Sequence, residues 1–345
     1  MSNDKNIPRI VYLFPSSRDK LIEQVREGQS ADTALWGMDH ISGAEYFITS
    51  EYTGVRSPTL IARLLKYDFV IAQDDLLIGY IVSVCARIFL RETKWIYIAM
   101  NSSIVMQRHA AHPIRLFLLK RFWASYYRII CISSKQLEDF SRLGIASEKL
   151  VFVPFGIDAE FFKPDDASRE EDLVVSVGRD AGRDYATLFK AAEHANYKLI
   201  VVASHKNIPT DMSVPASVSV LYDRSYAEIR DLYARARVVV VASKDEKIKE
   251  GSDCSGQTAV LDALAMGKSV VATHRSWIAD YLVPEEDIVV VSPSNPDALS
   301  RAIDDLLFDA EKRRQLVKSG NGKVVARYTT KTFAGALFAL MYNGA

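Results

Sequence analysis

Short runs of apolar and β-branched residues alternate with longer stretches of helical periodicity along most of the chain, which predicts parallel strands covered by crossover helices. In the first half the predicted strands are 9–14 (RIVYLF), 45–49 (EYFIT), 68–72 (DFVIA), 95–100 (WIYIAM), 128–133 (RIICIS) and 150–155 (LVFVPF). Their β-branched and aromatic content suits strands buried on both faces. Helical patterns over 57–66, 75–91, 112–127 and 134–143 lie between them, the last opened by Ser133 and Gln136 at capping-box spacing. The charged run 163–172 (KPDDASREED) has no apolar periodicity and reads as a linker. Beyond it the alternation restarts, with strands at 173–178, 198–203, 217–222, 238–242, 268–273 and 287–292. Its helices begin at Asp184, at a Ser225/Glu228 cap, and near Asn295, Asp309 and Thr330, and one ends at Met266. The expectation is an α/β protein of two Rossmann-like domains with parallel sheets, 1–164 and 165–328, followed by a helix over 329–345.

Composition narrows the function without naming it. A chain of 345 residues, 49% hydrophobic and 25% charged, with 11 Pro and 16 Gly, excludes disordered and low-complexity classes. Lys plus Arg equals Asp plus Glu, 43 against 43, so no global basic excess points to nucleic acid. Cys85, Cys131 and Cys254 are odd in number and irregular in spacing, fitting neither a disulfide framework nor a zinc site. The opening MSNDKNIPRI is polar, and the longest apolar run, Leu76 to Ala86, is too short to cross a bilayer. A cytoplasmic protein is expected.

The candidate chemistry emerges partly by elimination. The first strand runs into PSSRDK, with no glycine-rich dinucleotide turn, and MGKS at 266–269 lacks the earlier glycine of a phosphate loop. Ser-centred elbows, H-E-x-x-H and D-x-D triplets are absent as well. The distinctive segment is KEGSDCSGQTAVLDALAMGKSVVAT (249–273), which reads as loop, helix and strand. Ser255, Gly256 and Gln257 open the helix, whose free N–H groups suit a phosphate, and Gly267 closes it. Ser255, Thr258 and Asp262 are spaced +3 and +4, placing Asp262 roughly 6–9 Å beyond the phosphate-facing amides, about the reach from a diphosphate to ribose hydroxyls.

This segment resembles the donor site of GT-B retaining glycosyltransferases of the family-4 type, the glycosyl transferases group 1. Their hallmark is Glu, seven residues, Glu, then Ala-x-Ala-x-Gly. Here Asp262 takes the second position, and the first falls on Cys254, with Asp253 just before it and Glu250 as a rival. VFVPFGIDAEFFKP (151–164) is similar to the family's interdomain segment, and VVSVGRDAGRDYATLFKAA (174–192) to its Gly-Arg then Lys motif, with Arg183 in place of the lysine. The resemblance implies that Gly178, Ser255, Gly256, Gln257, Thr258 and Asp262 hold a nucleotide-diphosphate sugar. It implies further that Arg179 and Arg183 stabilise the leaving phosphate and that Asp253 binds a sugar hydroxyl. It also implies transfer with retention, no metal and no cofactor, and a C-terminal helix that returns to the first domain.

On the acceptor side, Asn101 falls where the family carries a sugar-contacting histidine, and His109 is a nearby substitute. Asp74 and Asp75, after the third strand, either assist an acceptor hydroxyl or cap the helix that follows. The acceptor class covers glycans, lipid-linked compounds and small molecules. A GT-B sugar-nucleotide epimerase and a non-catalytic nucleotide-sugar-binding subunit are the rival readings. From Thr93 to Leu137 there is no acid, and HPIRLFLLKRFWASYYR (112–128) mixes aromatic residues with Arg115, Lys120, Arg121 and Arg128. That composition suits an anionic membrane surface on the inner face, or a core-packing helix with a basic outer stripe.

Overall fold

The computed structural model describes residues 8–52, 57–73, 75–164, 170–248 and 250–342. The chain divides into two compact units: unit 1 is 1–23, 34–154 and 331–345, and unit 2 is 24–33 and 155–330.

Unit 1 holds β1 (Ile10–Phe14), β2 (Glu45–Ile48), β3 (Phe69–Ala72), β4 (Lys94–Ala99), β5 (Arg128–Cys131) and β6 (Leu150–Phe152). They form a parallel sheet in the order β2-β1-β3-β4-β5-β6. Both faces are covered, so β1, β3 and β5 read as nearly unbroken apolar runs rather than alternating ones. Trp95, Trp123 and Tyr126 are fully buried against the helix Leu76–Ile88. That helix can lie so close because residue 79 is glycine: a Cβ there would stand 2.6 Å from the Trp95 ring. Ser133 caps the helix Ser134–Arg142 through the Gln136 N–H. The Gln136 side chain makes a different link from the one a capping box supplies. It accepts from the Ile132 N–H at 2.8 Å and donates to the Ala99 carbonyl at 2.7 Å, tying the carboxyl ends of β4 and β5 together.

Unit 2 holds β7 (Leu173–Val177), β8 (Lys198–Ala203), β9 (Val218–Tyr222), β10 (Val238–Val241), β11 (Ser269–Thr273) and β12 (Val289–Val291). Their order is β12-β11-β10-β7-β8-β9, again all parallel. The chain leaves β7 towards β8 and β9 and then returns to build β10 on the other side of β7. The strand order therefore reverses between β7 and β10, and the carboxyl ends at such a reversal are where open α/β sheets bind ligands. Ser225 and Glu228 form the full capping box of the helix Tyr226–Arg235, and Gly267, at φ +68°, follows the C-cap of the helix Gln257–Ala265.

The units part between Pro154 and Phe155, upstream of the polar run from which a boundary at 164/165 was expected. The reason is packing. Phe155, Ile157, Phe161 and Phe162 are buried, the Phe155 N–H donates to the Tyr281 hydroxyl at 2.8 Å, and Ile157 pairs with Thr329. These residues already belong to the core of unit 2 before the charged run begins. Residues 24–33 join unit 2 as well, and the Asp32 N–H donates to Asp158 Oδ2 at 3.1 Å. The helix Thr330–Tyr342 lies almost wholly in unit 1, where Ala334 packs on Gly37 so closely that a Cβ at 37 would approach within 2.8 Å. Helices Asp19–Arg26 and Ser102–Ala110 were not legible in the apolar pattern: the first buries no residue and the second only Ser102.

Candidate active site

The loops after β7 and β10 are joined along their length. Lys244 N–H donates to the Gly182 carbonyl at 2.8 Å, Asp184 N–H to the Ala242 carbonyl at 3.1 Å, and Arg183 bridges Ser243 through the backbone. Asp180 is the centre of this junction. Its Oδ1 accepts from Gly182 N–H at 2.8 Å and Ser255 Oγ at 2.7 Å, its Oδ2 from Ser252 N–H at 2.8 Å, and its carbonyl from Asn207 Nδ2 at 2.8 Å. Gly251, at φ +80°, is required beside it, because a Cβ would fall 2.0 Å from Asp180 Oδ1. From the other side Arg275, only 5% exposed, donates to the carbonyls of Lys244 at 3.0 Å and Asp253 at 3.1 Å. Neither Asp180 nor Arg275 belonged to the expected site. Nothing local marks them, since their partners lie across loops distant in sequence.

Arg183 is buried between these loops. It is 6% exposed, donates to the Val177 carbonyl at 2.5 Å, and makes no ion pair among the described residues. Its Nε has no hydrogen bond. A Cβ at Gly178 would stand 1.9 Å from Nε, and one at Gly256 would stand 3.1 Å from an outer guanidinium nitrogen. The guanidinium therefore lies between these two glycines, beside the N-cap of the helix Gln257–Ala265, with Gly256 at φ +91°. A buried cation beside a helix N-terminus, with no ion pair among the described residues, is an arrangement that suits an anion.

Asp262 sits in the second turn of that helix. It is buried, not an exposed helical acid, and its Oδ1 has no hydrogen bond. Burial first, and the Asp158 carboxylate second, push its carboxyl well above the usual range. Tyr226 lies within electrostatic reach of both Asp262 and Arg179: burial and Asp262 raise its hydroxyl, and Arg179 opposes them.

The remaining expected residues divide. Ser255 is buried, with its hydroxyl committed to Asp180 and its carbonyl to Trp277 Nε1 at 3.2 Å, so it holds the loop in place. Gln257 is buried, whereas Thr258 is exposed. Arg179 is exposed and donates to the Arg224 carbonyl, a setting unlike that of Arg183. Of the three contenders before the helix, Cys254 is buried, Glu250 is exposed and paired with Lys244, and Asp253 is half-buried with its carbonyl held by Arg275.

In unit 1, Asp75 and Asn101 follow the carboxyl ends of the adjacent strands β3 and β4. Each occupies an N-cap position without a side-chain cap bond, Asp75 at φ +61°. Cap bonding, the alternative role expected for the Asp74/Asp75 pair, is thus not made by Asp75, and Asp74 lies outside the described residues. His109 stands in the last turn of the helix Ser102–Ala110, about 12 Å along it from Asn101, with Nδ1 buried and unbonded. It does not share the strand-end position of Asn101.

Residues 158–323 match the family described as glycosyl transferases group 1. Comparison with curated proteins gives no match. Among solved structures, the chain is similar to HepE of Anabaena in complex with UDP-glucose, at 15% identity over 97% of this chain and 99% of that one, with a TM-score of 0.74. It is similar to the sucrose-phosphate synthase of Thermosynechococcus elongatus at 17% identity, 97% and 99% coverage and a TM-score of 0.71. A glycosyltransferase of Rickettsia africae is similar at 11% identity, 99% and 100% coverage and 0.69.

Proposed function

We propose that the chain, whose residues 158–323 match the glycosyl transferases group 1 and whose fold is GT-B, moves a sugar from a nucleotide-diphosphate sugar to a hydroxyl acceptor with retention of configuration. The observation that carries this reading is Arg183, a buried guanidinium with no ion pair among the described residues, held against a helix N-terminus. Breaking a sugar–diphosphate bond loads negative charge onto the leaving phosphate. A fixed cation and aligned N–H dipoles aimed there lower the barrier without reorganising in the transition state. Arg183 is fixed in this way by Val177, Gly178 and Gly256, and Asp180 holds the loop that carries it.

In this reading the helix start at Gly256 and Gln257 receives the diphosphate, and Asp262 accepts ribose hydroxyls. Thr258 and Arg179 reach the ligand from the exposed rim, and Asp253 takes a sugar hydroxyl. Protein cations and the helix start supply the countercharge, so neither metal nor cofactor is required. UDP-glucose, bound by HepE of Anabaena, is the first donor to try. Asp75 and Asn101 are the acceptor-side candidates.

Nucleoside-diphosphate release from UDP- and GDP-sugars, measured with and without acceptor extracts, tests the proposal. Acceptor-dependent release is expected. Release or isomerisation independent of acceptor would assign the epimerase reading, and nucleotide binding without turnover would assign a non-catalytic subunit.

A further inference from the structure

The helix Pro113–Ser125 is apolar on two faces. Leu119 and Trp123 are buried in the core of unit 1, where the Trp123 ring meets Phe140 edge-on at 5.0 Å. On the other side Ile114, Phe117 and Leu118 are 76%, 60% and 45% exposed. At about 100° per residue, Ile114, Leu118 and Arg121 fall in one stripe with Phe117 beside it, while Arg115 and Lys120 mark its two borders. The outer face is therefore an apolar strip with Arg121 inside it and Arg115 and Lys120 at its borders, and not the basic stripe of an ordinary core-packing helix. Water favours a polar outer face on such a helix, and three large apolar side chains stand there instead.

The charges say what covers them. Arg115, Lys120 and Arg121 are exposed and have no ion pair among the described residues. The acid-free interval from Thr93 to Leu137 takes in this whole helix and the preceding one, Ser102–Ala110, so neither carries a carboxylate. A nucleic acid would leave the apolar strip facing a polar backbone, and an apolar protein patch would leave the cations unanswered. An anionic bilayer meets both, with the acyl boundary for the strip and lipid phosphates for the cations, whose aliphatic stems lie along it. We propose that Pro113–Ser125 docks in the plane of an anionic membrane surface, with Ile114, Phe117 and Leu118 at the headgroup boundary and Arg115, Lys120 and Arg121 on lipid phosphates. Attachment would be peripheral, because no helix among the described residues is long and apolar enough to cross a membrane. This face and the donor site share no residue, so either assignment can fail without the other.

The test is cosedimentation of the full chain with phosphatidylcholine vesicles, with and without about one-third phosphatidylglycerol, at low and at roughly 0.15 M salt. Wild type should partition onto the anionic vesicles and bind the neutral ones weakly. Since each cation near an anionic surface contributes about fivefold, R115E/K120E/R121E should lower partitioning by roughly a hundredfold. I114S/F117S/L118S should lose most binding at the higher salt, where screened charges hold the protein poorly. All six side chains are exposed, and unchanged thermal melts would show both variants folded. Absence of wild-type binding to anionic vesicles overturns the proposal, as does equal binding by the charge-reversed variant. A dimer abolished by the serine variant, in a protein that ignores vesicles, would make the face a contact between copies.

Discussion

In unit 2 the loops after β7 and β10 hold each other through Asp180, the Gly182–Lys244 backbone bond and the Arg275 clamp; Arg183 is buried among them, and Asp262 is buried in the helix that follows. In unit 1 the turns after β3 and β4 present Asp75 and Asn101 at cap positions where neither side chain caps its helix. The carboxyl ends of two parallel sheets with different strand orders thus carry two different arrangements. One buries charged groups and keeps them in place by a dense hydrogen-bond junction, as fixed electrostatic catalysis requires. The other places Asp75 and Asn101 at helix N-cap positions that their side chains do not cap.

The largest expected effect comes from removing the buried cation. Arg183→Ala should lower turnover by roughly one to three decades, at about 1.4 kcal/mol per decade, and Arg183→Lys by less. Steady-state donor cleavage checks this, and wild-type turnover in the alanine variant would remove Arg183 from the chemistry.

Next comes the junction itself. Asp180→Ala strips three acceptor contacts and leaves buried donors unsatisfied, a cost of about 1–3 kcal/mol. A lowered melting temperature together with a turnover loss smaller than that of Arg183→Ala would place Asp180 in positioning. An unchanged melt would show that the loops hold without it.

Asp262→Asn should separate binding from stability. A carboxyl whose folded value is raised favours the unfolded state once pH exceeds the ordinary carboxyl range, because the unfolded chain ionises first. Wild type is therefore penalised from about pH 4 upwards, increasingly until the folded carboxyl itself ionises. The asparagine variant should melt higher than wild type at neutral pH and equally near pH 3, while binding nucleotide more weakly by calorimetry. Equal melts at both pH values would show that the buried carboxyl costs nothing.

The smallest effects belong to unit 1. Asp75→Ala and Asn101→Ala should leave donor affinity unchanged and move only the acceptor KM, by a few-fold for a single polar contact. A loss of donor affinity in either would erase the contrast between the two edges.

Legibility followed range. The twelve predicted runs all became strands, and the Asp184, Ser225, Asn295 and Asp309 caps form as their side chains required, because apolar periodicity and capping act within a few residues. The helix Gln257–Ala265 and its closing glycine were readable for the same reason. The domain boundary was not, since the burial of Phe155 and Ile157 depends on Tyr281 and Thr329, far along the chain.

The candidate site divides on the same line. Short-range spacing placed Arg183 on one loop and Asp262 inside one helix, and a resemblance to a glycosyltransferase donor site suggested their roles. That Arg183 is a buried cation with no ion pair among the described residues, that Asp262 is buried, and that Asp180 and Arg275 hold the loops all followed from folding. Burial and electrostatic environment are properties of what the whole chain brings to a point, and a reversed strand order brings to this one the loops of β7 and β10, some sixty residues apart.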